Sequence, residues 1–374
     1  MLPLCSPYAA HMLKKLPPAL PLWCLVSPVA AALLLALFSQ LSLSMPLMLL
    51  VGVLLMAAVL SAVHHAEVIA HRVGEPYGSL VLAVAVTVIE VALIVSLMLA
   101  GGEAAAATAR DTVFSAVMIV LNGVVGLCIL VGGLRHKELD FRLEGTSPAL
   151  AVLVALATLT MVLPVFTTTT PGPIFSTSQL IFVGMASLVL YGAFVFVQTV
   201  RHRDYFLPIE NVGDAEVHAE PPSAAVAWAS LALLLVCLIG VVGLAKLLAP
   251  GIEAGVKAAG APPSVVGVIV ALLVLLPETV AAVRAALHNR LQTSLNLALG
   301  SGIASIGLTI PVVALLSLFL PYTLVLGLST VNMILLMLSF IVGTLTLGGG
   351  RATVLQGAVH LVLFAVFLFL AVVP

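Results

Sequence analysis

Charge is scarce in this sequence: 8% of the 374 residues are Asp, Glu, Lys or Arg, and 62% are hydrophobic. A soluble domain carries roughly 25% charged residues and less than half apolar residues. A water-facing surface cannot be built from so few charges. The net charge of −1 also excludes a nucleic-acid surface and strongly charged partners, so any molecule the protein handles is expected to be small.

Cysteine and catalytic motifs are also sparse. The four cysteines lie far apart without CxxC spacing, which excludes a disulfide framework and a zinc site; they are Cys5, Cys24, Cys128 and Cys237. The apolar segments contain no His-Glu-x-x-His zinc pair and no paired aspartates. We therefore expect neither an enzyme nor a resident cofactor.

Long apolar runs are what the sequence has in abundance. About 20 apolar residues cross a hydrocarbon layer of roughly 30 Å. This criterion predicts an all-α integral membrane protein of about eleven transmembrane helices, with spans near 20–40, 45–64, 78–100, 112–133, 148–166, 178–199, 224–248, 263–287, 293–319, 321–345 and 351–373. The first run follows Lys14 and Lys15 as a cleavable signal peptide does, but its length favours a retained helix.

The positive residues predict the orientation, because Lys and Arg near helix ends are retained on the cytoplasmic side. With the N-terminus inside, eleven of the 14 Lys and Arg fall on the cytoplasmic side, and only Arg110, Lys246 and Lys257 fall outside. We therefore expect a cytoplasmic N-terminus and an external C-terminus.

A polar, mildly acidic stretch near the middle divides the apolar spans into two groups of five. We expect an N-terminal segment with an extra helix at 1–44, a first repeat at 45–199, a cytoplasmic linker at 200–223 and a second repeat at 224–374. An odd number of helices per repeat inverts the second one in the membrane. Inverted repeats are a common plan of secondary transporters.

Glu90 and Glu278 are the only two of the 15 acidic residues that lie deep within spans. Each lies in the second span of its repeat, so a pseudo-twofold axis would bring the two carboxyl groups together at the midplane. A charge there costs at least about 2.5–3.5 kcal/mol, and such residues usually mark an ion or proton pathway. The alternative is that both are permanently protonated or paired with a helix-end arginine such as Arg284, as packing groups.

Other oxygen donors lie near these acids in the sequence. Thr87 is one turn before Glu90, and Pro277 removes a backbone donor beside Glu278 and marks a possible helix break. Asn296 and Ser301 follow in the next span and are possible accessory ligands. Each has a plainer interpretation: a hydroxyl bonded within its own helix, a simple kink, or polar groups that help helices pack.

Several motifs resemble bacterial ChaA-type antiporters, which belong to the calcium/cation exchanger superfamily. The residues that carry this resemblance are Gly74-Glu75-Pro76-Tyr77-Gly78, Val88-Ile89-Glu90, Pro277-Glu278, Asn289-Arg290-Leu291-Gln292, Asn296-Leu297, Gly300-Ser301 and Leu308-Thr309-Ile310-Pro311-Val312. The resemblance implies two inverted five-helix repeats with one essential glutamate each. It also implies a location in the inner (plasma) membrane of a bacterium and the exchange of calcium, sodium or potassium for protons.

These observations lead to one functional expectation and two alternatives. The expectation is antiport, in which the cation and protons compete for Glu90 and Glu278 and the repeats expose them alternately to each side. The alternatives are a passive cation channel, which would also need acidic pore residues, and an exchanger for another cation. The partners are inorganic cations, protons and the lipid bilayer; the sequence does not indicate an oligomeric state.

The histidines near 64–71 allow a further interpretation. His64, His65 and His71 lie near the cytoplasmic end of a span and titrate near neutrality, so they are candidates for a pH sensor. A position at the membrane interface without such a role is the alternative. His360, in the last span, is expected to make a packing hydrogen bond.

Overall fold

Helices dominate the computed structural model, which describes residues 20–38, 45–74, 77–207 and 221–374. Within these ranges ten helices are long and apolar enough to cross a membrane, and one shorter apolar helix precedes them. In chain order the helices are α1 (Leu22–Phe38), α2 (Met45–Val73), α3 (Tyr77–Gly101), α4 (Thr108–His136), α5 (Leu143–Phe166), α6 (Thr177–Arg201), α7 (Ala224–Ala258), α8 (Ser264–Leu287), α9 (Leu291–Ser317), α10 (Thr330–Leu347) and α11 (Val354–Val372).

Each of the eleven predicted spans overlaps one of these helices, so the prediction of an all-α membrane protein is confirmed. Three boundaries differ by nine or ten residues: α2 ends at Val73 and not near residue 64, α7 ends at Ala258 and not near 248, and α10 begins at Thr330 and not near 321. Residues 318–329 form an apolar loop, called here the α9–α10 loop, in which Pro321 and Gly327 interrupt helical structure. Hydropathy alone does not distinguish a buried apolar loop from a helix end.

Short π-helical turns interrupt two of the helices and end a third. They lie at Ile119–Val124 in α4, Thr158–Val162 in α5 and Val197–Arg201 in α6. A π turn inserts one residue into the helix and rotates the side chains that follow it, and such turns occur often at functional sites. The turn in α4 carries the fully buried Asn122.

The structure divides into two compact units, and the boundaries between them fall within α3 and α7. The first comprises 1–85 and 217–247 and therefore holds α1, α2 and the beginnings of α3 and α7. Small residues allow close packing within it: a Cβ on Gly243 would lie 2.5 Å from the side chain of Leu35. The Ser61 hydroxyl donates a hydrogen bond to the Cys24 carbonyl at 2.9 Å and so joins α2 to α1.

The second unit comprises 86–216 and 248–374 and contains the large hydrophobic core. Helix α4 lies at its centre and packs against α8, α9 and α11. Glycine makes the α4–α11 contact possible, since a Cβ on Gly357 would lie 2.6 Å from the Leu130 amide nitrogen and 2.9 Å from the Gly126 carbonyl oxygen. Close backbone approach through small residues is typical of helix packing in membranes.

A two-stranded antiparallel ribbon joins two helix connections in the same unit. Strand β1 (Glu138–Asp140) follows α4, and strand β2 (Arg351–Thr353) precedes α11, with Leu139 opposite Ala352. Arg351 pairs with Asp140 at 3.1 Å across the ribbon. The ribbon fixes the ends of α4 and α11 to each other.

Candidate functional site

Helix α3 carries Glu90 with its side chain buried in the second unit. The residue is 4% exposed although it lies between Ile89 and Val91 in an apolar run. The hydroxyl of Ser305, on α9, donates a hydrogen bond to Glu90 Oε1. A carboxyl group in this environment can exist as a carboxylate stabilised by a hydroxyl or as a neutral acid, which is the requirement for a group that accepts either a cation or a proton.

Glu278 lies on α8, half-buried, in the same unit as Glu90. The helix break considered at Pro277 is absent, because α8 continues from Ser264 to Leu287 with the proline inside it. A proline still lacks its backbone N–H, so it withholds the in-helix hydrogen bond from Leu273, four residues earlier. The nearby carbonyl of Leu275 is used by its own helix, accepting from the Thr279 hydroxyl at 2.6 Å.

Helix α9 contacts both acid-bearing helices. It forms an antiparallel hairpin with α8, in which the Ser294 hydroxyl donates to the Ala282 carbonyl at 2.7 Å. This register places Glu278 at the level of Ala298, seven residues before Ser305. At about 1.5 Å per residue, the two levels differ by about 10 Å along α9. These are levels of backbone positions, so the meeting of the two carboxyl groups that the pseudo-twofold axis suggested stays a prediction.

A small apolar cluster closes one side of the Glu90 environment. Ile94, Met98, Ala109, Val313 and Leu324 pack together and come from α3, α4, α9 and the α9–α10 loop. Ile94 is one turn beyond Glu90 on α3, so this cluster lies immediately next to the carboxyl level. Water and ions cannot cross such a cluster without its opening.

Three hydrogen bonds fasten the α9–α10 loop over that cluster. The Tyr322 hydroxyl donates to the Met98 carbonyl at 2.9 Å, and the Val325 amide donates to the Ala106 carbonyl at 3.0 Å. Arg110 Nη1 donates to the Gly327 carbonyl at 3.1 Å while the same guanidinium pairs with Asp111 at 2.7 Å. The loop is thereby joined to α3 and α4.

The accessory ligands predicted from the sequence have different surroundings. Ser301 is partly buried and lies one turn before Ser305 on α9, and Thr87 is buried one turn before Glu90; both remain predictions. Asn296 uses both ends of its amide within the chain, accepting from Gln292 at 2.9 Å and donating to the Phe206 carbonyl. Its geometry fits a tether for the residues after α6 better than a cation ligand.

A buried polar network joins the π turn of α4 to α10 and α11. Asn122 donates to Ser339 at 2.8 Å and accepts from His360 Nδ1 at 3.1 Å. His360 Nε2 lies 3.1 Å from the Thr346 hydroxyl. Because the amide oxygen of Asn122 only accepts, Nδ1 carries the proton and the neutral Nε2 accepts from Thr346. The packing hydrogen bond expected for His360 is therefore present, and it has two partners.

The histidines of α2 lie in the first unit. The ring of His64 lies 5.3 Å from that of Trp23, and His65 Nε2 lies 3.0 Å from the Cys24 carbonyl, to which it donates. His71 is exposed. A pH-sensing role for the three remains a prediction.

Ser305 and Asn122 were not selected from the sequence as site residues. A serine within an apolar helix usually bonds to its own backbone, so Ser305 alone carries little information. The available signal was its spacing, since Ser301, Ser305 and Thr309 recur every four residues along one face of α9. No spacing rule predicts the π turn that orients Asn122.

Metal-binding clusters of the usual kind are absent from the described ranges, where no group of three or more His, Cys, Asp or Glu could hold an ion. The three cysteines in those ranges are free and buried; Cys5 lies outside them, as do Lys14, Lys15 and most of the acidic linker. A cation at Glu90 would therefore need neutral oxygen ligands such as hydroxyls and carbonyls, which hard cations accept.

Comparison with known proteins identifies the family. The model of the sodium/calcium exchanger protein family matches residues 43–200 and again residues 229–373. The chain belongs to the sodium/calcium exchanger protein family. It is therefore a multi-pass membrane protein of a cation-exchanger family whose members are transporters and not enzymes, and its predicted resemblance to the calcium/cation exchanger superfamily is confirmed.

Two curated relatives of this exchanger span nearly its whole length. It is 52% identical over 357 residues to the putative ionic transporter y4hA of Sinorhizobium fredii, which covers 95% of this chain and 97% of the relative. It is 36% identical over 352 residues to the sodium-potassium/proton antiporter ChaA of Escherichia coli, covering 92% and 94% of the two chains.

Solved exchanger structures have the same fold. Native YfkE matches with a TM-score of 0.71 at 18% identity, over 94% of this chain and 100% of that chain. The H+/Ca2+ exchanger CAX matches with a TM-score of 0.67 at 16% identity, over 93% of this chain and 87% of that chain. At these identities the likeness establishes the fold of the family and does not indicate the cation.

Proposed function

We propose that the protein is a secondary active antiporter that exports calcium, sodium or potassium in exchange for protons, with cation and protons competing for Glu90 and Glu278. The observation that carries the proposal is the buried Glu90 carboxyl group, which accepts a hydrogen bond from Ser305 inside a membrane exchanger fold. The names of two related proteins, a sodium-potassium/proton antiporter and an H+/Ca2+ exchanger, support the choice of the proton as counter-ion.

Competition follows from the chemistry of a buried carboxyl group. Burial favours the neutral acid, whereas a bound cation favours the carboxylate, so a proton and a cation exclude each other at one side chain. Two such groups release up to two protons for one divalent ion, without net charge movement. Alternating exposure to the two sides of the membrane then couples inward proton flow to cation export.

We propose that the two acids act in this cycle as successive positions along one path. We propose that Glu278 lies on the cytoplasmic side of the Glu90 level, because the predicted orientation makes the α8–α9 turn cytoplasmic and the α9–α10 loop external. The division into repeats at 45–199 and 224–374 forms part of the same proposal, and the two family matches at 43–200 and 229–373 support it. No cofactor takes part, since the cation is the substrate.

The orientation has its own test. We propose the bacterial inner membrane, with the N-terminus in the cytoplasm and the C-terminus outside. A single cysteine placed after Pro374 in a variant without the native cysteines should react with a membrane-impermeant maleimide in intact spheroplasts. Labelling only after the membrane is broken would reverse the orientation.

The transport assignment is tested in everted inner-membrane vesicles. Addition of the cation should release protons from vesicles that contain the wild-type protein, and Glu90→Gln or Glu278→Gln should abolish the release although the variants insert and purify normally. Glu103→Gln is the matched control, because Glu103 is exposed in the turn after α3. Wild-type exchange by either site variant would refute the assignment.

The same vesicles separate exchange from a passive channel and identify the cation. An antiporter accumulates calcium, sodium or potassium only while a proton gradient exists, and a protonophore stops it. A channel conducts the cation without the proton gradient. Parallel assays with the three chlorides give the preferred ion.

A further inference from the structure

Thr309 lies between two contacts that join α9 to α3. One turn before it, Ser305 donates to Glu90; one turn after it, Val313 packs in the cluster with Ile94 and Met98. Residues four apart share a helix face. Thr309 therefore faces α3 at the turn from Glu90 to Ile94, next to the carboxyl level.

The Thr309 hydroxyl is fully buried and has no hydrogen-bond partner among the described residues. Four other buried helical hydroxyls in the described ranges also lack a partner, those of Ser27, Thr112, Thr146 and Ser230, but Thr309 is the one that lies one turn from the hydroxyl bound to Glu90. Several buried hydroxyls elsewhere in the fold donate to a carbonyl one turn back. Thr160 donates to Leu156 at 2.8 Å, and Ser187 donates to Val183 at 2.8 Å. A buried hydroxyl without a partner costs free energy, so its retention calls for an explanation.

The surroundings of Thr309 indicate which ligand would occupy that hydroxyl. Towards Val313 this helix face leads to the apolar side chains of the cluster, which themselves offer no hydrogen-bond acceptor. Towards Ser305 lies the carboxyl group of Glu90. A cation held by that carboxylate would lie near the hydroxyls of Ser305 and Thr309. Thr309 is the last polar side chain on this face of α9 before the apolar cluster.

We propose that the Thr309 hydroxyl oxygen is a further ligand of the transported cation, on the side of Glu90 that faces the apolar cluster. The proposal rests on the antiport function proposed above. An oxygen-preferring cation, alkali or alkaline-earth, would then bind the Glu90 carboxylate together with the hydroxyls of Ser305 and Thr309. Neutral hydroxyls replace part of the hydration shell without adding charge.

The test compares Thr309→Val, which keeps the shape and removes the oxygen, with Thr309→Ser, which keeps the oxygen. In vesicles, Thr309→Val should raise the KM for the cation about tenfold with little change in the maximum rate, the size expected for one lost ligand. Thr309→Ser should retain a KM within about twofold of the wild type. Thr344→Val is the matched control, since the Thr344 hydroxyl is already bonded to the Phe340 carbonyl at 2.8 Å.

The outcomes separate this proposal from the function on which it rests. An unchanged KM in Thr309→Val, or an equal loss in Thr309→Ser, overturns the ligand role while Glu90→Gln still abolishes exchange. Wild-type exchange by Glu90→Gln overturns the proposed function itself. A lower maximum rate with unchanged KM would make Thr309 a structural residue and also contradicts the proposal.

Discussion

At the scale of single residues, two pairs of buried polar side chains meet across helices. Glu90 meets Ser305 between α3 and α9, and Asn122 meets His360 between α4 and α11. The first pair belongs to the proposed cation path. In the second pair, Asn122 is also hydrogen-bonded to Ser339 and His360 to Thr346. These four uncharged side chains form a neutral clamp between the helices.

That clamp leads to a prediction about stability. His360→Leu should lower the free energy of unfolding by about 1–3 kcal/mol, because it leaves the Asn122 amide oxygen buried without a donor. Thermal unfolding of the purified protein in detergent measures the loss. The double variant with Asn122→Leu should lose less than the sum of the two single variants, since neither partner is then left unpaired. Fully additive losses would show that the two side chains are not coupled.

The two acidic residues of the candidate site could be selected from the sequence, but the hydroxyls around Glu90 could not. A glutamate within an apolar run is rare enough to stand out, because its cost in a membrane demands a function. Ser305 and Thr309 are ordinary residues for a membrane helix, and only the packing of α3 against α9 distinguishes them. Asn296 is the reverse case: its polarity suggested a ligand, both ends of its amide bind protein groups, and a ligand role stays a prediction.

At the scale of helices, close backbone contact determines which elements can move. A Cβ on Gly357 would meet backbone atoms of α4, which cannot rotate away as a side chain can. Helices α4 and α11 are also joined through the β1–β2 ribbon. We expect this pair to move as one body during exchange.

Substitution of Gly357 tests the tightness of that contact. Gly357→Ala should force α4 and α11 apart and lower the thermal unfolding midpoint in detergent by several degrees, because overpacking typically costs about 1–3 kcal/mol. Gly192→Ala in α6 is the control, since nothing lies within 4 Å of a Cβ there. An unchanged midpoint for Gly357→Ala would mean that the two helices separate freely.

Helix positions were largely predictable because the thickness of the bilayer fixes the length of an apolar span. Their ends were not. Helix α2 continues to Val73 past Glu67, since a helix needs no apolar residues once it leaves the hydrocarbon. Most of the α9–α10 loop was predicted to belong to a span because it is apolar. Its apolar residues instead pack against protein. The π turns depend on helix packing, and no sequence pattern predicts them.

At the scale of the whole molecule, the sparse charges and the family matches describe one kind of protein. Positive residues concentrate in alternate loops, the family model matches the chain twice, and the fold is that of solved cation exchangers. The protein therefore offers its small substrates only a few ionisable groups within the membrane. The proposed exchange depends on Glu90 and Glu278 changing protonation as the cation comes and goes.

Proton release on cation binding tests that claim most directly. Purified protein in weakly buffered detergent solution is mixed with calcium, sodium or potassium chloride, and the pH change is recorded against the amount of ion bound. We expect the wild type to release protons with saturation at the same concentration as binding, and the double variant Glu90→Gln, Glu278→Gln to release none. Undiminished proton release by a folded double variant would contradict the proposed competition.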